Sequence, residues 1–337
     1  MNKNILFTSP SVAELIDMDM PKAGAEEVVI KLQKTTISAG TERALLIGDP
    51  NINSAGAPSV VFPRQSGYSS SGIITEVGEG VTEFKVGDRV ACSWSCHSQY
   101  CKLKTKWVYK LDDKIDFDEA SLVHIATFPM AAIRRCNFEI GESALVMGLG
   151  VLGLLAVELL RAAGAMPIIA VDPVPSKREQ ALAFGADYAF DPFEEGFAAK
   201  VKKITGGGAK VCIEVTGLGS GLDMALDCMA RFGRVALLGC TRNSNFSIDY
   251  YRKVHGPAIT LVGAHTMGRP KYESSEGWWT EADDAKAILN LVLGKRINLK
   301  KFIEEVHSPV EAPQIYKRLA EEKFFPVVQF DWTALED

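Results

Sequence analysis

The segment Gly148-Leu149-Gly150-Val151-Leu152-Gly153 carries the residue types and spacing that most directly imply chemistry. It follows the apolar run Ala144 to Met147 and opens the amphipathic stretch Val151 to Ala163. In that setting the glycines permit a tight turn and close approach of backbone to a pyrophosphate, while the free amides and dipole of a helix N-terminus favour the anion. Asp172 closes the next apolar run, roughly 20 residues beyond the last glycine, where a carboxylate accepts hydrogen bonds from ribose hydroxyls. It would also repel the 2′-phosphate of NADP, so the cofactor read from these residues is NAD. The alternative reading of Asp172 is a helix-capping residue. The pair Trp278-Trp279 lies in a segment rich in Gly, Ser and Glu, where large aromatics suggest a pocket lid or a subunit contact.

The elements that must position these groups follow from hydrophobic periodicity. Short apolar runs at 144–147, 167–171, 211–215, 234–238 and 259–262 alternate with amphipathic stretches such as 151–163 and 177–184. Buried strands alternating with helices imply a parallel sheet covered on both faces. Upstream, 28–30, 72–77, 88–92 and 100–103 read as strands separated by Gly, Pro, Asp and Asn, a mainly β half. Beyond Met267, Glu281 to Leu293 and 310–322 read as helices and 325–330 as a closing strand, expected to return to the first domain. The fold class is α/β, with a mainly β domain of 1–124 and 268–337 and a parallel-sheet domain of 125–267.

Composition narrows the function. The chain has 337 residues, 47% hydrophobic and 23% charged, ample for two cored domains and unlike a disordered or fibrous chain. A net charge of -5 without a basic block disfavours nucleic acid. The apolar stretch near Met1 is too short for a signal peptide, and no uncharged run approaches the length of a membrane span. Seven scattered cysteines, an odd number, suit reduced thiols in a cytoplasm.

Several stretches together, in this order, resemble the medium-chain dehydrogenase/reductase family of alcohol and polyol dehydrogenases. They are Gly40-Thr41-Glu42, Gly67-Tyr68-Ser69, Val77-Gly78, Val86-Gly87-Asp88-Arg89-Val90, the Gly148 to Gly153 loop, Lys177-Arg178 and Gly185-Ala186-Asp187. The resemblance covers nearly the whole chain. It implies a GroES-like β domain holding substrate, a Rossmann domain holding NAD(P), and a cleft between them. It also implies cofactor contacts from Lys177 and Arg178, and a nicotinamide near Thr216, Gly217, Leu238, Gly239, Gly263, Ala264 and His265.

The departures from the family pattern bear on the reaction. Ala39 and Tyr68 occupy positions where zinc members carry ligands, and His124 falls at a third; one candidate ligand cannot form a catalytic zinc site, which takes three. Cys92, Cys96 and Cys101 have spacings unlike the family's structural zinc lobe, so no metal is expected. The resemblance places Thr41, Tyr68 and His124 near the substrate oxygen, with Tyr68 or His124 as general acid or base. The alternative is that Tyr68 and His124 fill the vacated metal cavity. Trp94 falls at an aromatic wall of the substrate pocket, His97 is a weaker substrate-binding candidate, and Trp278 and Trp279 complete that set.

The sequence therefore points to a zinc-independent, NAD-dependent oxidoreductase acting on a hydroxyl or carbonyl carbon of a small, polar, sugar-like or polyol substrate. A homodimer or homotetramer is expected, with no nucleic-acid or membrane partner. The alternatives are a zinc-free quinone or enoyl reductase acting on C=C bonds, and a nicotinamide-binding protein without catalysis.

Overall fold

In the computed structural model, which describes residues 1–52 and 60–335, two of the strands that follow the apolar runs are buried along their whole length. Ala144–Met147 and Ile168–Val171 have no exposed residue, which is why they read as continuous apolar runs and not as alternating ones. The chain divides into one unit of residues 1–125 and 285–337 and a second of 126–284.

The second unit is built on a six-stranded parallel sheet. From one edge its strands are Tyr188–Phe190, Ile168–Val171, Ala144–Met147, Ala209–Glu214, Met229–Leu237 and Thr260–Gly263. The sheet grows outward from Ala144–Met147 in one direction and restarts beside it in the other. This doubly wound order creates a switch point at the carboxyl ends of Ala144–Met147 and Ala209–Glu214, where open α/β sheets bind ligands. The helix Val151–Ala163 starts at Gly150 and stops at Gly164, whose left-handed backbone returns its N–H to Arg161 and Leu160 carbonyls. Leu145, Met147, Ile169, Val171, Cys212 and Val235 form the core on one side of the sheet. Each such side chain, fully buried, contributes about 1.5–3 kcal/mol.

In the first unit the long strand Glu27–Thr36 is the spine. It pairs antiparallel with Ser69–Val77, with Tyr100–Lys104 and, at its far end, with Val328–Asp331. Arg89–Ser93 and Val108–Lys110 extend the sheet beyond Ser69–Val77. A smaller sheet joins Val12–Met18, Asn2–Ser9 and Arg64–Gln65. Phe7, Ile30, Leu32, Ile74, Tyr316, Phe330 and Trp332 close the core.

Two boundaries differ from the sequence reading. Return to the first unit comes at Ala285, not at 268, because the segment before it is tied to the second unit. Buried Asp284 accepts from Arg134 at 2.8 Å and from Arg269 at 2.9 Å, and Trp279 stacks on the Arg134 guanidinium. The closing strand begins at Val328, not at 325, since Pro326 has no amide and the Val327 amide goes to the Glu304 carboxylate. No helix among the described residues is long and apolar enough to cross a membrane.

Candidate active site

At the switch point Gly148 has φ +95°, and Gly150 precedes the helix with extended backbone. The first helical bond runs from Leu154 N–H to the Gly150 carbonyl, so the amides of Val151, Leu152 and Gly153 lie ahead of the ladder. A Cβ on Gly150 would meet nothing within 4 Å, leaving open space above the helix end; a Cβ on Gly153 would lie 1.9 Å from the Gly148 carbonyl oxygen. One glycine thus leaves a cradle open, and the other lets helix and strand touch.

Asp172 accepts from the Leu149 amide through Oδ2 and from the Val174 amide through Oδ1, both at 2.9 Å. It therefore ties the glycine loop to the next strand's exit. Each carboxylate oxygen still has a lone pair for a ribose hydroxyl. A pocket of about 90 Å³ beside it is lined by Gly148, Asp172, Pro192, Phe193, Thr216 and Leu218 among others, apolar walls with a carboxylate at the rim. These residues fit the adenosine half of a dinucleotide. Arg178 is engaged by the Asp172 carbonyl at 2.7 Å, and Lys177 reaches Gln180 at 3.2 Å.

The loops after Ala209–Glu214 and Met229–Leu237 meet closely. A Cβ on Gly239 would lie 2.4 Å from the Gly217 nitrogen, and one on Gly217 would lie 2.8 Å from the Cys240 carbonyl. The Leu238 and Gly239 amides both donate to the Glu214 carbonyl, while Thr216 donates to the Glu214 carboxylate. Burial raises the pKa of that carboxyl, against the pull of the Thr216 hydrogen bonds. Ala264 donates to the Leu237 carbonyl, and Gly263 and His265 present carbonyls to Arg135. His265 itself is exposed.

In the first unit, Tyr68, Trp94 and His124 converge. The Tyr68 and His124 rings meet edge to face at 5.2 Å, Trp94 meets His124 at 4.8 Å, and Trp107 adds a wall 6.2 Å from Trp94. Trp94 has φ +57°, costly for so large a side chain and therefore a position the surrounding packing enforces. The Tyr68 phenol donates to the Ser38 hydroxyl. Ser38 caps the helix Ala39–Ile47, and its amide donates to Glu42 at 2.7 Å; Thr41, half-buried, lies in the first turn. Sequence reading missed Ser38 and Trp107, although a serine just ahead of an Ala-Gly-Thr-Glu helix start is a capping signal.

His97 is placed elsewhere. It is fully buried, with Nδ1 on the Thr35 hydroxyl at 2.7 Å and Nε2 on Glu42 at 3.0 Å. Glu42 also accepts from the Tyr316 phenol at 2.5 Å. Both ring nitrogens are used within the core, so the structure gives His97 a supporting role and not a substrate contact. Its bulk explains Gly67, where a Cβ would lie 2.6 Å from the His97 ring. Trp279 stacks on Arg134 at 3.5 Å, and Trp278, 47% exposed, lies 5.0 Å from Arg135.

The donor chemistry at this site can be compared with what a catalytic zinc requires. Among the described residues no three His, Cys, Asp or Glu side chains are grouped to hold a metal. At His124 the neighbours are a phenol and an indole, neither a match for a divalent zinc site of three protein ligands. The residues present do not fit catalytic zinc.

Residues 24–114 match the family model described as an alcohol dehydrogenase GroES-like domain, and residues 151–278 match the one described as a zinc-binding dehydrogenase. The chain is 31% identical over 329 residues to L-threonine 3-dehydrogenase of Pyrococcus abyssi, an alignment spanning 89% of each. It belongs to the medium-chain, zinc-binding dehydrogenase family. It is 26% identical over 340 residues to D-guloside 3-dehydrogenase of Escherichia coli, covering 95% of this chain and 96% of that one. The crystal structure of 2R,3R-butanediol dehydrogenase from Bacillus subtilis shares its fold with a TM-score of 0.80 at 23% identity, over 98% of this chain and 99% of that one. This dehydrogenase is thus a GroES-like domain joined to a Rossmann domain.

Proposed function

We propose that this dehydrogenase moves hydride between NAD(H) and the hydroxyl or carbonyl carbon of a small polar substrate, of the sugar or polyol class, without catalytic zinc. The observation that carries the reading is the gathering of Tyr68, Trp94 and His124, with the Ser38 hydroxyl on the Tyr68 phenol, where three metal ligands would otherwise be needed. NAD+, when bound, accepts the hydride. The protein's part is the proton: an alcohol must lose it as hydride leaves, and a phenol or imidazole within reach of the oxygen takes it as general base. Tyr68 and His124 are assigned that task, with Thr41 orienting the oxygen and Trp94 walling the site.

Asp172 supports NAD(H) over NADP(H), since ribose hydroxyls suit the carboxylate and a 2′-phosphate does not. Curated relatives that act on threonine and on a guloside support a polar hydroxylated substrate. All seven cysteines are free thiols, in keeping with a reducing, cytoplasmic setting.

The test is reduction of NAD+ and NADP+ by a panel of sugars, sugar acids, polyols, hydroxy amino acids and simple alcohols, each with and without chelator. The expected result is chelator-resistant turnover with NAD+ on one polar class. Turnover lost with stoichiometric zinc, or activity confined to activated C=C substrates, overturns the reading.

A further inference from the structure

Cys96 and Cys101 bring their sulfurs to 3.7 Å. Cys101 is fixed in the strand Tyr100–Lys104, opposite Ile30 of the spine, and is buried. Cys96 lies outside regular structure, in the segment between Arg89–Ser93 and Tyr100–Lys104, and is half-buried. One sulfur is fixed in a strand, while the other sits in irregular backbone on a residue that is only partly buried. The remaining gap to a bond of about 2.05 Å lies within what rotation at Cys96 and a small shift of that segment supply.

We propose that Cys96 and Cys101 form a dithiol modification site, which peroxides oxidise to an intrachain disulfide. The Cys96 thiolate attacks a peroxide oxygen and the O–O bond breaks; the hydroxide that leaves from hydrogen peroxide takes up the proton the thiol released, so the products are a sulfenic acid and water. The Cys101 thiol then attacks the Cys96 sulfur, its proton leaves with the departing hydroxide as a second water, and the S–S bond forms. Two thiols are oxidised and one peroxide is reduced.

The local chemistry assigns the two roles. The hydrogen bond shared with Cys101, and the Ser98 hydroxyl 3.2 Å from the same sulfur, lower the Cys96 pKa against burial to about 7. Of two neighbouring thiols, the one with the lower pKa is the thiolate that a peroxide attacks first. The same hydrogen bond, together with burial, raises Cys101, so it stays protonated until the sulfenic acid forms. Burial pushes Cys92 up to about 12, which keeps it out of the exchange. The bridge would clamp the segment two residues after Trp94, the indole that meets His124.

The full-length protein is treated with a small excess of hydrogen peroxide, denatured in the presence of N-ethylmaleimide, digested without reduction and mapped by mass spectrometry. The expected product is the tryptic peptide 90–102 lighter by two hydrogens and labelled at Cys92 alone, reverting with dithiothreitol. Cleavage after Tyr100 should leave the two halves joined. Cys96→Ser should slow loss of the Cys101 thiol by at least about tenfold, and Cys240→Ser should leave the bridge unchanged. A Cys92 to Cys101 link, a Cys96 sulfenic or sulfinic acid beside a fully labelled Cys101, oxidation confined to exposed Cys240, or full labelling of every thiol overturns the proposal. The readout needs no substrate, so its failure is separate from any failure of the proposed activity.

Discussion

Tyr68→Phe removes the hydroxyl that donates to Ser38 but keeps the ring facing His124, so it separates proton handling from packing. With turnover established, Tyr68→Phe and His124→Ala should each lower kcat by about 10² or more, the range general acid–base catalysis contributes, while NADH affinity stays unchanged. Thr41→Val should lose a smaller factor because it orients and does not ionise. Residues in one relay act as a unit, so the double variant should cost little more than the worse single one. Near-normal kcat in both single variants would make His124 a cavity filler. At this scale the glycine loop was legible because each glycine answers a local demand, a turn or a close approach. Ser38 was not, because its role exists only once Tyr68, distant in sequence, folds onto it. His97 misled for the same reason: its partners Thr35 and Glu42 come from other elements.

Among the elements, the helix Val151–Ala163 was read to the residue because its apolar stripe ends at a glycine stop. The helix Ala39–Ile47 was missed because it buries Glu42 in the core, a charge on the face where periodicity expects an apolar side chain. Two substitutions at the cofactor helix part packing from binding. Gly153→Ala puts a methyl into the Gly148 carbonyl and should destabilise by about 1–3 kcal/mol or more in urea unfolding, with cofactor binding lost as well. Gly150→Ala meets no protein atom, so Tm should hold while NADH affinity falls about tenfold as the methyl intrudes on the phosphate cradle. Equal loss of stability in both variants would show a packing role alone.

A second element carries a pH dependence. His307, ending the strand Glu305–His307, bonds Glu305 at 2.8 Å and Glu311 at 2.9 Å, and Arg318 from the helix Ala312–Glu321 grips Glu305. Burial lowers the His307 pKa, but the two carboxylates outweigh it and the net shift is upward. The Arg318 hydrogen bond leads in pulling Glu305 down to about 2, and His307 leads in lowering Glu311. A raised histidine stabilises fully below its unfolded value near 6.5 and loses that contribution as pH climbs through its folded value; the lowered carboxylates stabilise above about 4.5 and lose theirs toward acid. The cluster therefore contributes most between about pH 4.5 and 6.5. His307→Gln should cost about 1 kcal/mol or less at pH 5.5, the range for partly exposed pairs, and nothing measurable at pH 9. A penalty independent of pH would mean that packing, not charge, holds the strand.

At the scale of the whole molecule, the parallel sheet ends on Thr260–Gly263, which pairs with Met229–Leu237 on one side and is exposed along most of its length. Apart from the Gly263 carbonyl, which Arg135 takes, the open side of an edge strand invites another strand, and proteins that persist in solution cover or pair such edges. A second copy related by a two-fold axis presents the same strand in the opposite direction, so two edges can join antiparallel into one continuous sheet with self-complementary contacts. Periodicity alone marks the apolar strand; its place at the edge came from the family resemblance, because it depends on the order in which distant strands pair. The protein should therefore sediment as a dimer or a dimer of dimers. Leu261→Asp, at an exposed position, should place like charges opposite one another across the joint and weaken dimerisation by at least about tenfold while leaving each subunit folded by circular dichroism. Sedimentation velocity over a concentration series decides it: an unmodified chain that stays monomeric throughout, or a Leu261→Asp variant that dimerises as well as the parent, means that this edge is not the joint.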